Sequence, residues 1–109
     1  MEKREIKIGR ERTLKPEKPR EGISADILYF PPSKNGYTHG LLIADLFSLY
    51  ISFYPMKSKG SGEVAKCLRT YFAGQGIPKS IYTDVDQSFR GEVEHMLRTY
   101  GVRHVTSYP

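Results

Sequence analysis

The chain has a single cysteine, Cys67, among 109 residues. One thiol excludes an internal disulfide and a Cys-rich zinc site, fits a reducing compartment, and leaves Cys67 to pack as a small apolar side chain. Long apolar runs are missing as well. No stretch approaches the roughly 18 consecutive apolar residues of a membrane span, and the charged N-terminus lacks the apolar core of a signal peptide. A soluble, intracellular protein with no membrane partner is expected. Acidic residues are in deficit, 12 against 17 Lys and Arg, for a net charge of +5. That balance favours a polyanionic partner, nucleic acid first. Internal repeats and low-complexity tracts are absent. The length allows at most one domain with a small core.

The first 22 residues carry eight basic residues and five Glu with two prolines and little that is apolar. Residues 1–22 are therefore expected to be a basic linker or arm, whose interspersed Glu weakens its positive field. A folded unit is expected from residue 23 to 109. Ser24 to Phe30 reads as a first strand, and the Pro- and Gly-containing turn from Pro31 to Gly36 returns the chain into a second, Thr38 to Asp45. The short connection makes the pair antiparallel. Asp45 to Ser48 reads as a tight turn into a third strand, Leu49 to Tyr54, ended by Pro55. Leu41, Leu42 and Ile43 are apolar without alternation, which predicts that the second strand is covered on both faces.

Lys57 to Gly62 is a flexible basic loop, and Ser61 or Gly62 is the expected cap of a helix from Glu63 to Phe72. Val64, Cys67, Leu68, Tyr71 and Phe72 form its packed face. A strand from Ser80 to Thr83 follows. Phe89, Val93, Met96, Leu97 and Tyr100 then share one side of a helix from Ser88 to Tyr100, which Gly101 closes with a left-handed cap. Arg103 to Thr106 is the last strand. The order βββαβαβ predicts a mixed α/β sheet with helices against it.

Two acids draw attention within this frame. Asp84 ends a short apolar strand, and ligands in α/β domains bind in the crevice outside the carboxyl ends of parallel strands. Asp is also favoured as a turn or cap residue at such a place, so Asp84 alone decides little. Asp26 adds weight because Asp fits the interior of a strand poorly. Asp45 suits a turn role and Asp86 an exposed turn carboxylate. His39 is assigned a structural role, and His95 and His104 are read as surface or helix-end residues, with no second His or Cys at zinc-ligand spacing. Lys57 and Lys59 are candidates for phosphate contact.

Taken together, Asp26, Leu41-Leu42-Ile43-Ala44-Asp45-Leu46-Phe47-Ser48, Gly76-Ile77-Pro78, Thr83-Asp84 with Phe89, and Gly101-Val102-Arg103-His104-Val105-Thr106 before Tyr108-Pro109 form an ordered set. In order and spacing the chain resembles the catalytic core of retroelement integrases, of gypsy-type retrotransposons and retroviruses, from Ser24 to Pro109. The resemblance implies a ribonuclease-H-like fold: a five-stranded mixed sheet of a three-stranded antiparallel meander plus two parallel strands.

It further implies that Asp26 and Asp84 are the first two carboxylates of an acidic triad (the DDE motif) holding Mg²⁺ or Mn²⁺. The implied activity is DNA 3′-end processing and strand transfer, with DNA as partner and a homo-oligomer in the full-length protein. As part of a retroelement polyprotein, such a protein acts in the nucleus after a cytoplasmic phase. This chain departs from the pattern in two ways. Asp86 stands where the family has Gly, and the third acid, a Glu, falls past Pro109 in the family's spacing, so the core is expected to be incomplete and inactive alone. Two alternatives accompany this reading: a catalytically inactive or domesticated module binding nucleic acid or a protein, and a ribonuclease-H-type nuclease with further acids of its own.

Overall fold

The computed structural model describes residues 6–8, 12–14, 21–31 and 34–107, with side chains described from residue 21 to 106 apart from 32 and 33. Pro32 and Ser33 of the turn, the Tyr108-Pro109 close, and most of the basic arm lie outside the described residues. Within the arm, strands β1 (Ile6–Ile8) and β2 (Arg12–Leu14) pair antiparallel as a separate small sheet, Ile6 opposite Leu14. Composition had pointed only to a linker there, because the two strands are three residues each and set among charges.

The main sheet contains β3 (Gly22–Tyr29), β4 (His39–Asp45), β5 (Ile51–Met56), β6 (Ser80–Asp84) and β7 (Arg103–Ser107) in the order β5-β4-β3-β6-β7. The meander β3-β4-β5 is antiparallel, and β3, β6 and β7 are mutually parallel. Helices α1 (Ser61–Gln75) and α2 (Glu92–Tyr100) supply the crossovers, as parallel neighbours require. Fully buried Ile23, Leu41, Ile43 and Ile81 from the strands meet Val64, Leu68, Tyr71, Val93 and Leu97 from the helices in one core.

Several boundaries differ from the sequence reading, and four of the differences have a plain local reason. The third strand starts at Ile51, because Leu49 is held in the left-handed region at φ 61° by a turn in which its N–H donates to the Asp45 carbonyl at 2.7 Å. The same strand runs through Pro55 to Met56. β5 is a sheet edge, where a missing N–H is tolerated. Helix α1 begins at Ser61 with Gly60 as its cap, and the Gly60 carbonyl accepts from the N–H groups of Glu63 and Val64. The second helix is not continuous: a 3₁₀ turn, Gln87–Phe89, comes first, and Gly91 at φ 56° separates it from α2. Phe89 still joins the α2 face in the core, so the periodic pattern survives the break.

β4 is not covered equally on both sides. Leu41 and Ile43 are buried under the helices, whereas Leu42 is half-buried on the other face, where Leu28, Ile51 and Phe53 are exposed. Among the described residues both helices pack on one face. Gly101 closes α2 at φ 73°, its N–H donating to Arg98. An alanine there must adopt the left-handed backbone, so Gly101→Ala is expected to lower the unfolding free energy by about 1 kcal/mol in urea denaturation.

Candidate active site

The parallel pairing of β3 with β6 sets Gly22, Ile23 and Ser24 opposite Ser80, Ile81 and Tyr82. Two residues further along each strand stand Asp26 and Asp84, on the same face of the sheet by the two-residue period. The ladder between β3 and β6 ends at Tyr82, so the last residues of β6 are paired on the β7 side alone, Thr83 with Thr106 and Asp84 with Ser107. The two acids thus stand just past the end of the β3–β6 ladder. Both residues are exposed.

The charges interact. Burial pushes the Asp84 carboxyl above its usual range, and the negative charges of Asp26 and Asp86 push it the same way. Asp26 turns one oxygen, Oδ1, to the Ile27 N–H at 2.9 Å. Asp86 behaves differently. Its Oδ1 accepts from the Ser88 N–H at 2.8 Å and caps the 3₁₀ turn, and that hydrogen bond lowers its pKa against the opposing effect of burial. The turn role expected for Asp86 is therefore its structural role, although its charge reaches Asp84.

Lys59 is a cation beside this group. Its Nζ donates to the Tyr29 hydroxyl at 3.1 Å and lies 3.9 Å from Asp86 Oδ2. The Tyr29 hydrogen bond, then the charge of Asp86, raises its pKa. Lys57 points elsewhere, with Nζ 5.6 Å from the centroid of the Tyr37 ring. The loop bearing both lysines is shaped by Glu63, whose carboxylate accepts from the Lys57 N–H at 3.0 Å and the Ser58 N–H at 3.1 Å. Burial would raise the Glu63 carboxyl, but these hydrogen bonds outweigh it and hold it below its usual range.

Asp45 is apart from these acids: it pairs with Ile23 toward the opposite end of β3, and its Oδ1 accepts from the Phe47 and Ser48 N–H groups. That is the turn role expected of it. His39 stacks edge-on against Tyr29 at 4.9 Å, a structural contact. His104 is the residue that sequence reasoning missed. Instead of lying on the surface, it is half-buried on β7, where its Nε2 is 2.7 Å from Thr83 Oγ1, and it lines a pocket with Asp84, Asp86, Arg90, Glu94 and Thr106. Burial pushes its pKa down. Its approach to Thr83 depends on the register of β7 against β6, for which the sequence has no marker.

Asp26 and Asp84 present only oxygen donors, the kind that hard divalent cations take, and their clustered negative charge is what such an ion would relieve. The donor chemistry of the pair suits a hard divalent ion. Among the described residues no group of three or more His, Cys, Asp or Glu is arranged to hold a metal.

Comparison with known proteins gives this arrangement a family. The integrase core domain family model matches residues 16–109. A chain of the simian T-cell lymphotropic virus intasome, solved by cryoEM in complex with PP2A regulatory subunit B56 gamma, is similar at 28% identity with a TM-score of 0.76, over 84% of this chain and 36% of that one. The HTLV-2 integrase catalytic core domain, solved with magnesium in a dimeric form, shares the fold at 22% identity with a TM-score of 0.73, over 83% of this chain and 62% of that one. The chain therefore spans less than two thirds of either structure's length. No curated protein sequence matches it. Matched by the family model over nearly its whole length and folded on the same ribonuclease-H-like sheet, this chain belongs to the integrase core domain family.

Proposed function

We propose that this chain is the core portion of a metal-dependent polynucleotidyl transferase that trims a DNA 3′ end and joins it to a second DNA strand. Trimming is hydrolysis of a phosphodiester bond and leaves a 3′-hydroxyl. Joining is transesterification, in which that hydroxyl attacks a phosphate of the target strand and displaces its 3′-oxygen. The observation that carries the reading is the placement of Asp26 and Asp84 at corresponding positions of adjacent parallel strands, just where their ladder opens. In this reading the two carboxylates hold Mg²⁺ or Mn²⁺. Such an ion, when bound, polarises a phosphoryl oxygen and stabilises developing charge on attacking or leaving oxygen.

The other residues bind and orient. Asp86 fixes the 3₁₀ turn behind Asp84 through the Ser88 N–H. Lys59, beside the acids, is suited to draw a DNA phosphate toward them, and Lys57 extends the positive edge of the same loop. Action on DNA in the nucleus, after a cytoplasmic phase, and assembly into a homo-oligomer in a full-length protein belong to the same proposal. The direct test is incubation of a version of the chain extended to supply the third acid with a labelled DNA end and Mn²⁺, reading shortened and joined products. Metal-dependent products from the extended version support the reading, and none at any Mn²⁺ concentration counts against it.

A second reading is a non-catalytic module that holds nucleic acid or a protein partner on this fold. The exposed loop carrying Lys57 and Lys59 serves this reading as well. Under either reading the lysines contact phosphate, so DNA affinity is expected to fall steeply with salt. Removing Lys57 or Lys59 should each shallow the slope of log affinity against log salt by about 1. Filter binding across a salt series measures this, and an unchanged slope in the double variant would remove both lysines from the interface.

A further inference from the structure

We propose that His104 is a positioning residue for Asp84, acting through the Thr83 hydroxyl. The inference rests on the metal-centre reading above. Thr83 Oγ1 lies 2.9 Å from the Asp84 carbonyl oxygen, to which it donates, and 2.7 Å from His104 Nε2. A hydroxyl has one proton to give. With that proton directed at the Asp84 carbonyl, Thr83 accepts from His104, and Nε2 carries the donated proton. The chain of donors runs from the His104 ring to the Thr83 hydroxyl to the peptide oxygen of Asp84. It orients the Asp84–Val85 peptide and, through the Asp84 backbone, the direction of its carboxylate.

The position in the sheet explains why such a brace matters. Up to Tyr82, β6 is held by β3 on one side and β7 on the other. Thr83 and Asp84 have lost the β3 partner and are paired on the β7 side alone. A strand end released on the side that faces Asp26 is free to swing its carboxylate. The brace comes from β7, the side that remains paired, and so lies away from the side that faces Asp26. Thr83 is itself buried, which keeps water from competing for its hydroxyl. His104 borders the same pocket as Asp84 without needing to touch a metal. Partners of this kind that orient a metal-ligating side chain typically change metal affinity by 10- to 100-fold when removed.

The test uses the isotopically labelled chain with His104→Ala, His104→Gln, Thr83→Val, Thr83→Ser and the double Thr83→Val/His104→Ala variant. Two signals report on Asp84 without metal: its carbonyl carbon resonance and the order parameter of the Val85 N–H across the shared peptide. Mn²⁺ affinity is the third readout and the thermal midpoint the fourth. The expected result is a moved carbonyl resonance, a more mobile Val85 N–H and Mn²⁺ binding weaker by about tenfold in His104→Ala and Thr83→Val. The double variant should be no worse than either single one, because both break one path. Gln and Ser, which keep a donor and a hydroxyl, should restore most of the signal.

A His104→Ala protein that loses thermal stability while the Asp84 carbonyl, the Val85 N–H and Mn²⁺ affinity stay at wild-type values would overturn the proposal. Should His104→Ala fail to fold, Thr83→Val carries the same test at nearly constant volume. If wild-type Mn²⁺ binding is unaffected by Asp84→Asn, the metal-centre reading fails. The two metal-free signals still decide whether His104 positions Asp84.

Discussion

Asp84→Asn is expected to abolish metal-dependent DNA processing by a version of the chain extended to supply the third acid, while making the chain itself more stable at neutral pH. The loss of activity follows from removing one of the carboxylates available to the ion. A bound metal contributes several kcal/mol of transition-state stabilisation, so the drop in rate should be on the order of 10²- to 10³-fold or more. The gain in stability follows from the raised Asp84 pKa, caused by burial and by the charges of Asp26 and Asp86. A carboxyl whose pKa is raised on folding favours the protonated form. Its contribution is fully present below the unfolded-state pKa and is lost as pH rises through the folded-state value.

At neutral pH, then, ionised Asp84 opposes folding, and Asn removes that opposition. The difference in urea midpoint between wild type and Asp84→Asn should be largest near pH 7 and shrink toward acid, below the ordinary carboxylate range. Mn²⁺ should reverse the order by stabilising the wild type alone, since ligand that binds only the folded state shifts the equilibrium by mass action. Equal stabilisation of both proteins by Mn²⁺ would show that the ion binds elsewhere. Persistent metal-dependent joining by Asp84→Asn would dismiss Asp84 as a ligand.

The largest stability loss is expected at Phe89. Its ring is 1% exposed, and it ties the 3₁₀ turn to the core between the helices and the sheet. Truncation to Ala removes most of a large apolar side chain and leaves a cavity, at a cost of about 3–5 kcal/mol. A domain of this size has about 5–15 kcal/mol in total, so Phe89→Ala is expected to approach unfolding at room temperature. The site is lost with the fold, because Asp86 caps the turn that Phe89 anchors. Urea titration followed by circular dichroism measures the loss, and Phe89→Leu should recover much of it by keeping apolar volume. A wild-type midpoint for Phe89→Ala would mean that the turn is not anchored through this ring.

Much of this architecture was legible in the residues. Period-two and helical patterns placed all five strands and both helices of the core within a few residues, because burial on one face imposes those periods. Local chemistry was equally readable: Asp45 turns the chain with its own carboxylate, and Gly101 takes the left-handed cap that a side chain resists. Asp26 stood out because a carboxylate inside a strand needs a reason. What no local pattern contained was how the strands lie against one another. Pro55 continues β5 only because that strand is an edge, and Leu42 is half-buried only because the described helices share one face of the sheet. The ladder between β3 and β6 stops at Tyr82, and the β7 register carries His104 to Thr83, beside an acid twenty residues earlier in the chain. Composition and periodicity determine which residues seek the interior; register, set by the packing of all five strands at once, decided that Asp84 stands past the end of the β3–β6 ladder and that a histidine stands behind it.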